Sequence, residues 1–201
     1  TRPRPHPQRF REARQAADPS GVARLARPSL HRVRLVGQGY APLADAVTAC
    51  GRLGHTRPVD AADWRVNYFA AIGLLRTVGH VLDKIDAKKW PATKQPIAAA
   101  YARWKRGEGE DAIFQHFIED ERNLLLKEYR RGCEPEDAVD CPVLTVDGNE
   151  AHGISTIPVV FVEGGRFDGE PVGPLLWRAV EWWMLELEAI EVAATRTSND
   201  T

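Results

Sequence analysis

Apolar side chains recur every three or four residues along four stretches of the chain, and this spacing lets an α-helix bury one face. The pattern predicts two long helices, over residues 60–85 and 110–131, a shorter helix over 97–106 and a final helix over 174–194. Acids at the start of the second long helix and bases at its end complement the helix dipole. We expect Gly132 to end that helix.

Two short runs rich in Val and Ile precede the final helix, and each ends in a turn with glycine. They cover residues 142–148 and 156–165, so we expect a small β-hairpin near residues 141–163. The acidic stretch over residues 133–141 is predicted to be a loop. The fold class that follows is mainly α, a helical bundle with a small β-hairpin before the last helix.

Charge divides the chain into two unequal parts. Residues 1–58 hold eleven Arg, no Lys and three acids, whereas the rest holds sixteen basic and twenty-five acidic side chains. The first segment is rich in proline and lacks sustained apolar periodicity, so we expect it to be largely flexible, with one short helix over residues 42–54. Three interpretations of it stay open: a disordered or adventitious tail, an RNA-binding arm and a targeting peptide. The bundle domain is predicted over residues 59–195 and a disordered tail over residues 196–201.

The cysteines and the missing motifs exclude several classes of protein. Cys50, Cys133 and Cys141 are too few for a disulfide scaffold and lack the CxxC spacing of a zinc site, which leaves plain thiols or a Cys133–Cys141 pair. A reducing cytoplasm fits this set. The sequence has no run of about 18 uncharged apolar residues, so we expect no membrane span. It also lacks Glu-x-x-His, HExxH, GxSxG and phosphate-binding glycine loops, so we expect no metal and no cofactor.

Polar residues interrupt the apolar face of the helix over residues 110–131. On a helical wheel Glu121 and Glu128 fall near the centre of the apolar arc, and Arg122 falls at its border. Both carboxylates are therefore expected to face inward, where each needs a partner or a wet cleft because burying an unpaired charge is costly. The residues expected to face outward are His116, Glu119, Asn123 and Lys127. The candidate partners on the first long helix are Asn67, Tyr68, Arg76 and His80.

Arg76 and His80 lie on one face of the first long helix, with Asp83 one turn further on. One interpretation is a composite acid–base site formed with Glu121 or Arg122. The other is an interhelical cluster of salt bridges and hydrogen bonds that fixes the register of the two helices. The sequence leaves both interpretations open.

The segment ERNLLLKEY, residues 121–129, resembles the helix that carries the Arg-polar-x3–5-His signature of HEPN domains, which are small α-helical bundles. The resemblance rests on Arg122 and Asn123 in this helical setting and extends over about residues 64–131. For family members that cut RNA, it implies an arginine that stabilises phosphate charge and a histidine that moves a proton, commonly at a dimer interface. The positions where the family's histidine would fall are occupied here by Lys127, Glu128 and Tyr129.

The resemblance implies a HEPN-like domain of an RNA-targeting, toxin–antitoxin or defence system. If the chain is an enzyme, the implied activity is that of a ribonuclease, impaired because the histidine is missing. The implied partners are a second copy in a homodimer, RNA or an antitoxin-like protein. The competing hypothesis is a non-catalytic module for protein–protein interaction or self-association, which would expose an apolar patch around Trp177, Trp182 or the hairpin. The candidate site residues are Arg122, Asn123, Arg76, His80 and Glu121.

Overall fold

Helices make up most of the structure, a computed structural model that describes residues 37–55, 61–144 and 150–199. All of these residues belong to one compact unit, Arg34–Thr201. The mainly α fold predicted from periodicity is confirmed. The helices are α1, Tyr40–His55; α2, Ala61–Val81; α3, Pro91–Trp104; α4, Asp120–Glu128; and α5, Val172–Asn199.

Shorter helical segments connect these helices. A π-helical turn, Leu82–Asp86, extends α2 and passes into the short helix Ala87–Lys89. A second π-helical segment, Phe114–Glu119, follows the 3-10 turn Gly109–Asp111 and leads into α4. A π-helix places more residues in each turn than an α-helix, so each segment changes which of the following side chains face the core.

One apolar core lies between the helices, because each helix presents a stripe of buried side chains to its neighbours. Side chains that are fully buried in it include Tyr68, Ile72 and Leu75 of α2, Trp104 of α3, Phe114 and Phe117 before α4, and Leu176, Trp183 and Leu187 of α5. Among the described helices, none combines the length and the apolar character that a membrane span requires.

Helix α1 is part of this core, although its residues fall within the Arg-rich segment 1–58. Leu43, Ala46 and Cys50 are buried against the other helices. The short helix predicted in this region is therefore longer, and the bundle begins before residue 59. Residues 1–36, and with them the predicted flexibility of that segment, lie outside the described residues.

A buried carboxylate from the π-helical turn after α2 holds the start of α1. The Asp86 Oδ2 atom accepts a hydrogen bond of 3.0 Å from the Gly39 N–H, and Oδ1 accepts one of 3.3 Å from the Gln38 N–H. Negative charge is favourable there because the first N–H groups of a helix have no partner within the helix. Burial raises the pKa of Asp86, while the two backbone hydrogen bonds and the charge of Lys89 offset part of this rise.

Two strands, β1 (Cys133–Leu144) and β2 (Glu150–Val162), pair in antiparallel fashion before α5. Cys133 lies opposite Val162, and the acidic stretch over residues 133–141 belongs to β1. That stretch is therefore a strand and not the loop that its charge predicts. Pairing with the valine-rich end of β2 outweighs the weak strand preference of acidic residues.

The ends of two helices differ from the prediction. Helix α4 ends at Glu128, and Tyr129 follows it in the left-handed region, with φ 51° and ψ 36°. Gly132 is therefore not the cap of this helix. Helix α5 continues to Asn199, so residues 196–199 are helical and do not form the predicted disordered tail.

Candidate polar site between α2 and α4

The Glu121 side chain is buried where α2, α4 and the start of β1 meet. Its Oε2 atom accepts a hydrogen bond of 2.8 Å from the Tyr68 hydroxyl and one of 3.1 Å from the Gly132 N–H. Tyr68 is itself completely buried, and its ring stacks on Trp64 with the ring centres 5.1 Å apart. The inward orientation predicted for Glu121 is confirmed, and Tyr68 is its partner on α2.

The surroundings of Glu121 favour its neutral form. Burial raises the pKa of Glu121, hydrogen bonds from Tyr68 and Gly132 lower it in part, and the nearby charge of Asp120 raises it further. Burial also raises the pKa of Tyr68 well above its ordinary value, and the adjacent Cys133 and Glu121 add to that rise. Both groups take part in the hydrogen bonds that join α2, α4 and the start of β1.

Two acids of this helix lie on the opposite sides from those predicted. Glu128 is exposed, and its Oε2 atom lies 3.2 Å from Nη1 of the equally exposed Arg130. Glu119 is buried, although the helical wheel places it outward. Glu119 ends the π-helical segment Phe114–Glu119, whose wider turns rotate the chain less per residue than the wheel assumes. Glu128 is the last residue of α4, where the helix ends and Tyr129 turns the chain.

Arg76 of α2 joins Glu119 across the helix interface. Its Nε atom lies 2.9 Å from Glu119 Oε1, but the N–H does not point at that oxygen, so the contact is an ion pair without a directed hydrogen bond. The guanidinium lies over the Phe114 ring, 5.8 Å from the ring centre. Gly79 leaves room beside it, because an added Cβ would lie 3.6 Å from Arg76 Nη1 and 3.2 Å from Trp183. The contact therefore serves helix packing.

The other predicted site residues do not join these contacts. The Arg122 Nη1 atom donates a hydrogen bond of 3.0 Å to Oδ1 of its neighbour Asn123. His80 is exposed, and no hydrogen bond or ion pair of its side chain is found within the described part of the chain. The amide of Asn67, a predicted partner of the inward acids, donates to the Asp63 carbonyl on its own helix. The candidate residues thus fall into separate local contacts.

A second polar cluster, between α3 and α5, was not predicted from the sequence. The Arg103 Nε atom donates a hydrogen bond of 2.8 Å to Asp111 Oδ2, and its Nη2 atom contacts Glu186. Glu186 also accepts a hydrogen bond of 2.7 Å from Trp104 Nε1, and Asp111 Oδ1 accepts one of 3.3 Å from Trp182 Nε1. The sequence places Trp104 near Asp111 and Trp182 near Glu186. These pairs predict a cluster only when α3 and α5 are known to be neighbours.

The tryptophans of α5 contribute little to the surface. Trp182 and Trp183 are buried in the core, so the apolar patch predicted around Trp182 is wrong. Trp177 is the exception on this helix, with 38% of its area exposed. Its neighbour Arg178 is ion-paired with Glu170, at 3.1 Å between Nη1 and Oε2.

Gly132→Ala is expected to lower the free energy of unfolding by about 1–3 kcal/mol, because overpacking displaces buried groups. The added Cβ would lie 2.1 Å from Glu121 Oε1, and Glu121 cannot move aside without breaking its buried hydrogen bonds. Urea unfolding followed by circular dichroism measures the loss. Gly73→Ala is the control, since a Cβ there meets nothing within 4 Å, and a gain of up to about 1 kcal/mol is expected. Equal losses at the two glycines would contradict the assignment.

No group of three or more His, Cys, Asp or Glu side chains with the geometry of a metal site occurs in residues 37–55, 61–144 and 150–199, as far as their side chains are described. Comparison of the chain with family models, with curated proteins and with solved structures finds no match of any of the three kinds.

Proposed function

We propose that this chain is a HEPN-like helical bundle that acts by binding a partner in an RNA-targeting, toxin–antitoxin or defence system, without cleaving RNA itself. One observation carries the proposal: two of the five candidate site residues, Arg76 and Glu121, are held in contacts within the protein. Arg76 is held by Glu119, and Glu121 is held by Tyr68 and the Gly132 backbone. An enzyme would instead hold such groups ready in an open cleft.

The positions that would supply the proton carrier also support a binding role. Lys127 and Tyr129 are exposed, and Glu128 is ion-paired with Arg130. Lysine and tyrosine side chains ordinarily keep their protons at neutral pH, so neither replaces a histidine that must take up and release one. The HEPN-like signature is in this sense incomplete.

Ribonuclease catalysis is the second candidate function, and two side chains favour it. Arg122 is half-buried and bonds only to its neighbour Asn123 in the described part of the chain, which leaves its guanidinium near solvent. His80 is exposed on α2. In this alternative Arg122 would stabilise phosphate charge, and a histidine of the same chain or of a second copy would move the proton.

Purified protein incubated with tRNA and with total RNA is expected to give no cleavage above that of the Arg122→Ala variant on denaturing gels. The reason is that Arg122 lacks a proton carrier at the expected spacing. Arg178→Ala, on α5, is the matched control for loss of a surface arginine. Cleavage that disappears with Arg122→Ala and survives Arg178→Ala would overturn the binding proposal and establish the second candidate.

We place the protein in the cytoplasm. Cys50 and Cys133 are buried and are not joined in a disulfide, as expected of a reducing compartment. Cys141 lies outside the residues whose side chains are described. The three candidate partners remain a second copy, RNA and an antitoxin-like protein.

A further inference from the structure

Apolar side chains of α2 and of the end of α4 form one surface, called the α2–α4 surface. It is defined by the exposed Val66, Leu126 and Tyr129 and the partly buried Phe69. Val66 is 63% exposed, Leu126 70% and Tyr129 72%. We infer that this surface binds an acidic, amphipathic helix of another protein. The inference rests on the proposed binding function and names the chemistry of the partner.

A ring contact across the two helices holds the surface together. Phe69 and Tyr129 meet edge to face, with their ring centres 5.5 Å apart. Val66 lies about one turn before Phe69 on α2, and Leu126 lies three residues before Tyr129, which follows the end of α4. Gly73, one turn after Phe69, adds open space, since an added Cβ would meet nothing within 4 Å. A helix that binds in a groove needs such a row of apolar contacts with room between them.

The Tyr129 ring stands at the end of α4, where a left-handed residue with φ 51° ends the helix and its N–H donates to the Leu124 carbonyl. The side chain is 72% exposed there. Exposed tyrosines are enriched where proteins bind each other, since a large rigid ring gains contact area at little entropic cost.

The charges beside the surface determine the kind of partner. Beside the surface lie the exposed bases Arg65, Lys127 and Arg130 and the exposed acids Asp63 and Glu128, so bases outnumber acids by one. Among the described side chains no ion pair is found for Arg65 and Lys127. Arg130 is ion-paired with the exposed Glu128. This excess of bases stands out because residues 59–201 carry more acidic than basic side chains. Complementary charge therefore calls for carboxylates on the partner.

Two other occupants fit these observations less well. A second copy bound by the same surface would bring the cations of both copies, Lys127 and Arg130 of each, into one interface, where their like charges are unfavourable. Single-stranded RNA would suit the cations and the Tyr129 ring, but stacking makes no use of Val66 and Leu126. Those two aliphatic side chains gain from contact with the apolar face of a protein helix.

The test uses a fluorescein-labelled peptide of Leu, Glu and Ala, about four helical turns long, with leucines at i, i+3, i+4 and i+7 and glutamates beside them. Fluorescence anisotropy with the full chain is expected to show saturable binding that weakens as salt is added. The double variant Leu126→Gln/Tyr129→Gly should weaken binding by about tenfold or more. Leu185→Gln on α5, where the leucine is 66% exposed, is the matched control and should leave binding unchanged.

The remaining outcomes separate the alternatives. Equal binding of a peptide with the same composition in scrambled order, or an equal loss with Leu185→Gln, would overturn the inference. So would a dimer in sedimentation velocity that the double variant disrupts, which would assign the surface to a second copy. Binding of an oligouridine that the double variant abolishes, in place of peptide binding, would assign it to nucleic acid.

The failure of this inference is distinguishable from that of the proposed function. A chain that binds no peptide and cleaves no RNA contradicts only the partner chemistry inferred for the α2–α4 surface. RNA cleavage that depends on Arg122 contradicts the binding function, whatever the peptide does. Circular dichroism of the double variant checks its folding, which should be retained because glycine suits the left-handed backbone at residue 129.

Discussion

Trp104→Ala is expected to lower the free energy of unfolding by about 3–5 kcal/mol, the range typical of removing a large buried aromatic side chain. The Trp104 indole is fully buried. Its ring centre lies 5.0 Å from that of Trp183, and 5.4 Å from those of Phe114 and Trp182. Its Nε1 atom also donates the 2.7 Å hydrogen bond to Glu186 that links α3 to α5. Alanine would therefore leave both a cavity and a poorly satisfied carboxylate.

Urea unfolding followed by far-ultraviolet circular dichroism measures this effect without relying on tryptophan fluorescence. Trp104→Phe should lose less than the alanine variant, because it keeps a ring in the cluster and gives up the hydrogen bond to Glu186. Trp177→Ala is the control for a partly exposed tryptophan, and a change within about 1 kcal/mol is expected there. A loss at Trp104 no larger than that at Trp177 would show that the aromatic cluster is not the centre of the fold.

Glu121→Ala is expected to cost about 2–4 kcal/mol at neutral pH, since it leaves the Tyr68 hydroxyl and the Gly132 N–H buried without their acceptor. Glu121→Gln keeps an acceptor oxygen and carries no charge, so its effect depends on pH. The folded-state pKa of Glu121 is raised above the ordinary value of 4.5. At a pH between 4.5 and the raised pKa, the Glu121 carboxyl group has lost its proton in the unfolded chain but keeps it in the folded chain.

The sign of the pH effect follows from this difference in bound protons. The contribution of Glu121 to stability is complete at pH below 4.5 and decreases as pH rises toward the raised pKa. The glutamine variant lacks this decrease, so its stability relative to the wild type should increase from pH 4 to pH 8. Urea titrations over that range test the trend, with the exposed Glu128→Gln as control. A difference between Glu121→Gln and the wild type that stays constant with pH would count against a buried, neutral carboxyl group.

The helices were predictable from the sequence because their apolar spacing reflects a single buried face. Helix α1 was underestimated because part of its stability comes from Asp86, a partner far along the chain. The strand over residues 133–141 was missed for a similar reason. Its acidic composition predicts a loop, whereas pairing with β2 decides its conformation.

The candidate site was predictable where a helical wheel applies. Glu121 and Tyr68 both lie on the inner faces of their helices, and they do meet. The position of Glu119 was not predictable, because no residue in Phe114–Glu119 signals a π-helix, and Glu128 is exposed as the last residue of α4. The contact between Arg103 and Glu186 joins residues of two helices distant in sequence, so it depends on the packing of the whole bundle. Local patterns carry no information on such pairs.

The widened turn before α4 has a consequence for how this chain is to be aligned with other helical proteins. A π-helical segment acts as a residue inserted into an α-helix, so positions on its two sides are out of phase. If this chain is aligned without a gap to a protein whose helix is regular here, the positions match before Phe114–Glu119. After that segment, buried residues of one protein are matched with exposed residues of the other.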